Sequence, residues 1–114
     1  MHIKKDDTNR VDVTLACVVN EYQFGKKGLG LATATINGRH PLSGKIVNEE
    51  CDSMYYIISG KGIIHHETGD YEVNEGDAFY FEKGKWYWVE GENMKIVEPS
   101  APAWFYEQHK NLED

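Results

Sequence analysis

The sequence has no long hydrophobic run: no apolar stretch approaches the ~20 residues a membrane-spanning helix needs. Cysteine is scarce. Cys17 and Cys51 are the only two, far apart and without a C-x-x-C pairing, so they are read as free thiols and not as a disulfide framework. Of the three prolines, Pro99 and Pro102 hold one connection to extended or turn geometry. Positive charge is also in short supply. Twelve Lys and Arg stand against nineteen Asp and Glu, for a net charge of −7. The imbalance lies in residues 41–114, which hold six basic and fifteen acidic residues. An acidic surface without a basic stripe repels phosphate backbones, so nucleic acid is not expected as a partner, and neither is a membrane. The opening Met1-His2-Ile3-Lys4-Lys5-Asp6-Asp7 lacks the apolar stretch of a signal peptide. The expected location is the cytoplasm.

What is present suits one compact domain. The chain has 114 residues, 40% of them hydrophobic. Folding buries roughly two-thirds of the surface of a chain this long, enough for one core. Residues 1–114 are read as a single domain, with 1–10 a loose terminus and 106–114 a tail.

Period-2 alternation and β-branched or aromatic residues dominate. They predict strands at Val11–Val19, Leu29–Ile36, Lys45–Asn48, Met54–Ser59, Gly62–Glu67, Asp70–Val73, Ala78–Glu82, Trp86–Glu90 and Lys95–Glu98, with a further one at Ala103–Tyr106. Asn37-Gly38, Gly60-x-Gly62, Thr68-Gly69-Asp70, Glu75-Gly76-Asp77, Lys83-Gly84 and Gly91 are read as turns between them. No stretch supports a long helix. Short strands at this spacing imply an all-β sandwich or closed barrel, with a jelly roll the natural choice.

A family resemblance sits on this frame. Tyr55-Tyr56-Ile57-Ile58-Ser59-Gly60-Lys61-Gly62 is followed by Glu75-Gly76-Asp77-Ala78-Phe79-Tyr80-Phe81 and then Gly84. Gly60 to Gly76 is sixteen residues and Gly76 to Gly84 is eight. In these glycines and spacings, over residues 44–98, the chain resembles a cupin. The resemblance implies a cupin-type jelly-roll β-barrel with a pocket inside.

Cupin enzymes usually carry a metal, held by two histidines and a glutamate from a first motif and one histidine from a second. Counted from Gly60 and Gly84, the glutamate position holds Ser53 and the last histidine position holds Tyr87. The other two hold Val47 and Glu49, or Ile46 and Asn48, depending on the spacing. Such residues do not reproduce the usual site, so the resemblance implies the fold and pocket without that metal chemistry. No cofactor is expected. A divalent transition metal on substitute ligands, Glu49, Cys51 and His66, is the lesser alternative.

In an extended strand Glu49, Cys51, Ser53 and Tyr55 share a face, and so do Ile64 and His66. Glu49, Ser53, Tyr55, His66 and Tyr87 are therefore the candidate ligand-binding residues. With Tyr87 inward, Trp86 and Trp88 point outward and need cover, and a homodimer would supply it. The functional expectation is a small-molecule-binding protein. The alternative is an enzyme, either metal-free and isomerase- or epimerase-like through Glu, His and Tyr, or metal-dependent through the substitute ligands.

Overall fold

The computed structural model describes residues 1–113. Among these residues, nine antiparallel strands form one sheet that curls into a half-barrel. The strands are β1 (Asn9–Thr14), β2 (Cys17–Tyr22), β3 (Gly30–His40), β4 (Lys45–Asn48), β5 (Asp52–His66), β6 (Gly69–Asn74), β7 (Ala78–Phe81), β8 (Trp86–Ala101) and β9 (His109–Leu112). Two 3₁₀ turns, Lys5–Asp7 and Tyr106–Gln108, are the helical content. Among the described residues no helix is long and apolar enough to cross a membrane.

β8 is the spine. β5 pairs with it along nearly its whole length, from Asp52↔Ala101 to His66↔Tyr87. On its other side lie β3, from Gly30↔Ser100 to His40↔Val89, and then β4, with Ile46↔Tyr87. β2 and β1 extend the sheet beyond β3, β9 lies outside β4, and β6 and β7 pair with the outer edge of β5.

The strands follow their alternation until a bulge changes its phase. In β8, Tyr87, Val89 and Gly91 are buried, and then Met94, Ile96 and Ser100. The change occurs at Glu92-Asn93, where Asn93 has a φ of 46°. Between Gly38↔Gly91 and Ile36↔Met94, β8 carries one more residue than β3. Each such bulge turns all later side chains to the other face. β5 changes phase too, from Ser53, Tyr55 and Ile57 inward to Ile64 and His66 inward. It does so at Gly60, whose φ is +77° and where a Cβ would overlap the Asn93 backbone carbonyl. Glycine serves here because two bent backbones cross closely.

These bends account for several departures from the sequence expectation. Gly60-x-Gly62, Gly91 and Asn37-Gly38 are not chain reversals but irregular points inside long strands. The stretch Val11–Val19 is two strands, broken by a tight turn at Leu15-Ala16. Asn9 and Arg10, expected in a loose terminus, pair with β2. Ala103–Tyr106 is not a strand, whereas the following His109–Leu112 pairs with β4. Trp86 and Trp88 do lie on the outer face, each partly covered within the chain. Lys45 Nζ sits 4.2 Å from the Trp86 ring centre. Trp88 packs against the Arg39 guanidinium at 3.9 Å and stacks on His65 at 3.7 Å. Cation–π contacts of this kind cover part of each indole, and both rings remain half-buried.

Candidate functional site

A cavity of about 710 Å³ opens inside the half-barrel. That lies within the range of small-molecule sites. Its apolar wall comes from β2 and β3, where Cys17, Val19, Ala34 and Ile36 face inward. The polar wall is made by Asn48 of β4, Tyr55 of β5, Tyr87 and Glu98 of β8, and the pair His40 and His109. Phe24, Lys26, Trp104 and Tyr106, from the β2–β3 connection and the C-terminal tail, also line it. Ala103 N–H donates to Lys27 C=O at 2.8 Å and ties these two segments together.

The tyrosines are positioned from behind. The Phe81 ring lies 4.6 Å from that of Tyr55 and 4.3 Å from that of Tyr87. Both tyrosines are almost fully buried and line the same cavity. Burial pushes both phenol pKa values upward, so both stay protonated donors at neutral pH. Asn48 completes the group, with its Oδ1 held by Trp104 Nε1 at 3.2 Å and Gln108 Nε2 at 2.9 Å.

Glu98 is the charged group of the polar wall. It lies deep in the barrel yet keeps some surface open to the cavity. Burial lifts its pKa from 4.5 to about 7, partly offset by the neighbouring Ser53 hydroxyl. That hydroxyl is itself buried and makes no hydrogen bond of ordinary geometry. A carboxyl that titrates near neutrality in a cleft can both take and give a proton there. Burial, reinforced by the neighbouring His109, lowers His40 to about 4. Burial also lowers His109. Both imidazoles are thus neutral at pH 7, and each has a buried Nδ1 without a hydrogen-bond partner.

Of the residues singled out by sequence, Tyr55 and Tyr87 line the cavity. Ser53 lies just behind it, beside Glu98. Glu49 is elsewhere: β4 ends at Asn48, and Glu49 is exposed in the bend that follows, its N–H bonded to Gln108 C=O at 3.0 Å. Extended geometry does not continue through residues 49–51, so the face shared by Cys51, Ser53 and Tyr55 does not include it. His66 is buried in the aromatic cluster, 5.4 Å from Phe79, with Nδ1 accepting from Thr68 N–H at 3.1 Å. Glu49, Cys51 and His66 are not brought together. Among the described residues no three His, Cys, Asp or Glu side chains gather as a metal site.

Sequence reasoning missed Glu98, His40, Asn48 as a polar contributor, and the tail residues Gln108 and His109, whereas Trp104 was among the aromatics it offered for the pocket wall. Alternation carried forward from Tyr87 points Glu98 outward. The bulge at Glu92-Asn93 points it inward, and its only sequence signal is Gly91 and Asn93 inside an otherwise strand-like run.

A family model for the cupin domain matches residues 37–98. The chain belongs to the cupin family. Comparison with curated proteins gives no match. Among solved structures, Streptomyces PAC13, a tyrosine-to-phenylalanine variant with uridine, superposes with a TM-score of 0.89 at 14% identity, covering 99% of this chain and 90% of that one. PAC13 is described as a nucleoside dehydratase. Ectoine synthase from P. lautus gives 0.76 at 16% identity, covering 98% and 90%. KdgF from Halomonas sp. gives 0.75 at 13% identity, covering 89% and 94%. At such identities the likeness shows the shared fold.

Within the cupin frame the open spacing question has a structural answer. Ile46 and Asn48 face inward and Val47 does not. The four metal-ligand positions of the family pattern are then Ile46, Asn48, Ser53 and Tyr87. Ile46 has no donor atom, and Tyr87 holds its proton because burial raises its pKa. This donor set does not fit the family's metal.

Proposed function

We propose that this protein binds a small hydroxylated carbonyl compound, of sugar or nucleoside type, and moves protons on it with its own side chains. The observation that carries this reading is Glu98, a carboxyl titrating at about 7 in the same cavity as the phenols of Tyr55 and Tyr87. Base and oxyanion donor then face one space. The comparisons lend support. PAC13 is described as a nucleoside dehydratase and was solved with uridine as tyrosine-to-phenylalanine and histidine-to-glutamine variants. Tyrosine and histidine are the residue types that line this cavity.

The chemistry follows from the groups. The Glu98 carboxylate takes a proton from the carbon next to the substrate carbonyl. The C–H electron pair forms a C=C bond, and the carbonyl π pair moves onto oxygen, where a tyrosine O–H stabilises it. Return of the proton to the former carbonyl carbon, while the hydroxyl on the adjacent carbon passes its proton to the oxyanion and becomes the new carbonyl, isomerises the substrate. Alternatively the electrons return, the bond to a β-hydroxyl breaks, and Glu98 hands its proton to the leaving group, releasing water and an unsaturated carbonyl product. Either course restores Glu98 as the carboxylate. Neutral His40 and His109 offer hydrogen bonds to substrate hydroxyls.

The test has two parts. Uridine is titrated calorimetrically, and deuterium uptake from D2O into a panel of aldoses, ketoses and nucleoside aldehydes is followed by NMR. Uridine is expected to bind, and Tyr87→Phe to weaken it about tenfold, as for one lost hydrogen bond. Glu98→Gln is expected to slow exchange at least about 100-fold. Exchange equally fast in Glu98→Gln would overturn the assignment of the base, and binding without exchange would leave a ligand-binding protein.

A further inference from the structure

The outer face of the sheet changes character along β8. A sheet with one face on the core normally carries polar and charged side chains on the other. Near the start of β8 that holds, where the outward Trp86 and Trp88 are packed by Lys45, Arg39 and His65. Beyond Asn93 the outward positions are uncharged over a wide area. Met54, Tyr56 and Ile58 of β5 and Tyr80 of β7 alternate with the inward Tyr55, Ile57 and Phe81 and are between 41% and 54% exposed. The strand register makes them one patch. Met54 lies opposite Tyr80, Tyr56 lies between Ala78 and Val97, and Val97 lies opposite Thr33. At about half exposure, and about 150–250 Å² for a whole large side chain, the four exposed residues leave roughly 400 Å² of mainly apolar surface in water. That is as large as the biggest patch on a typical monomer. None of the nineteen acidic residues falls in the row Ala78, Tyr56, Val97 and Thr33. Charge enters at the ends of the patch. Asp52 opens β5 at one end, and the exposed Lys95, opposite Ser59, stands at the other.

We propose that this face binds a second copy of the chain, sheet against sheet, about a two-fold axis along the row Ala78, Tyr56, Val97 and Thr33. A stable interface takes about 800 Å² from each partner, with an apolar centre inside a polar rim. The patch, with the half-buried Val97 and Pro99 beside it, supplies that centre. The two ends set the axis. Asp52 lies four residues before Tyr56 in β5, and Ser59, the neighbour of Lys95, lies three residues after it. A two-fold axis along the middle row exchanges the ends, so Asp52 of one protomer meets Lys95 of its partner, while uncharged residues of the row meet their own copies. Two chains of net charge −7 can thus approach without like charges facing each other at the centre. The interface backs the wall from which Tyr55 and Glu98 face the cavity, so the cavity itself stays open. The proposal is independent of the ligand proposed above.

The experiment is analytical ultracentrifugation of the whole chain at about 100 µM, well above the micromolar limit for an interface of this size. The wild type is expected to sediment at twice the 13.1 kDa mass of the chain. Tyr56→Glu and Tyr56→Lys each set like charges against each other across the axis, at a half-exposed position outside the core. Each is expected to weaken self-association at least about 100-fold with an unchanged circular dichroism spectrum. Mixing the two variants in equal amounts is expected to restore the dimer, because the acid of one then meets the base of the other. Lys95→Glu, at the exposed rim, is expected to weaken association about tenfold through repulsion by Asp52 of the partner, which keeps the test decisive if neither Tyr56 variant folds. A wild type that sediments as a monomer overturns the proposal and leaves the face to a different kind of partner. A wild-type dimer left intact by every variant that folds also overturns it, and places the contact on another surface.

Discussion

The interior has a closed side, built by β5–β7, and an open side, built by β1–β3 and the tail. On the closed side rings interlock. Phe79 and Phe81 lie 4.8 Å apart, Tyr71 packs on Phe79 at 5.1 Å, and His66 fills the remaining edge. On the open side the inward positions hold Cys17, Ala32 and Ala34, whose side chains are too short to meet the opposite wall. The cavity exists because small residues face large ones across a curled sheet. The two sides meet at Phe81, which is core to one and the backing of Tyr55 and Tyr87 for the other. A rigid hydrophobic cluster thus sets the position of polar groups that line the cavity. Histidine shows the same contrast. His66 is held by Thr68 within the cluster and His40 stands on the cavity wall, although each keeps one buried ring nitrogen without a hydrogen-bond partner.

Removing Phe81 would break the comparison most severely. Phe81→Ala is expected to cost about 3–5 kcal/mol, measured by urea unfolding, and to abolish uridine binding because both tyrosines lose their support. Binding that survives in a folded Phe81→Ala protein would show that the two sides are independent.

Glu98→Gln probes the open side through pH. The folded-state pKa of about 7 lies above the ordinary 4.5. Relative to the glutamine variant, the wild type therefore has its full stability below pH 4.5, loses it progressively as pH rises, and has lost it above about pH 7. The loss is on the order of 3 kcal/mol as an upper figure, because cavity water reaches part of the carboxyl. Thermal melting at pH 4 and pH 8 checks this. The variant should gain stability over the wild type at pH 8, and equal differences at the two pH values would mean that Glu98 is not buried as described.

Ala34→Leu sharpens the contrast from the apolar wall. Because the position borders open volume, the change is expected to alter stability by less than about 1 kcal/mol while occupying ligand space, in contrast to the 1–3 kcal/mol of overpacking a filled core. Calorimetry should then show uridine binding weakened with the melting temperature nearly unchanged. The smallest effect is expected at Glu49. Its side chain is exposed and outside the cavity, so Glu49→Gln should stay within about 0.5 kcal/mol in stability and leave binding and exchange untouched. A loss of exchange in that variant would return it to the site.

The glycine frame Gly60, Gly76 and Gly84 was legible because each has a positive φ that other residues adopt only with strain. The inward set Ser53, Tyr55 and Ile57 was legible because alternation within one unbroken strand needs no tertiary information. Tyr87 was legible from its spacing to Gly84. Glu49 went astray because the rule was carried across the bend at residues 49–51, where the chain is not extended. Trp86 and Trp88 were placed on the correct face, but their cover, Lys45, Arg39 and His65, comes from other strands.

The sequence by itself determined an all-β chain of the cupin kind, its turn glycines, and an interior lined by Tyr55 and Tyr87. These are local matters of period, backbone conformation and spacing. Only the tertiary structure decided which carboxyl faces the cavity, which histidines stand beside it, and how the tail fixes Asn48. Each depends on a bulge that reverses a strand face, or on contacts between residues more than fifty positions apart. Neither effect leaves a periodic trace in the chain.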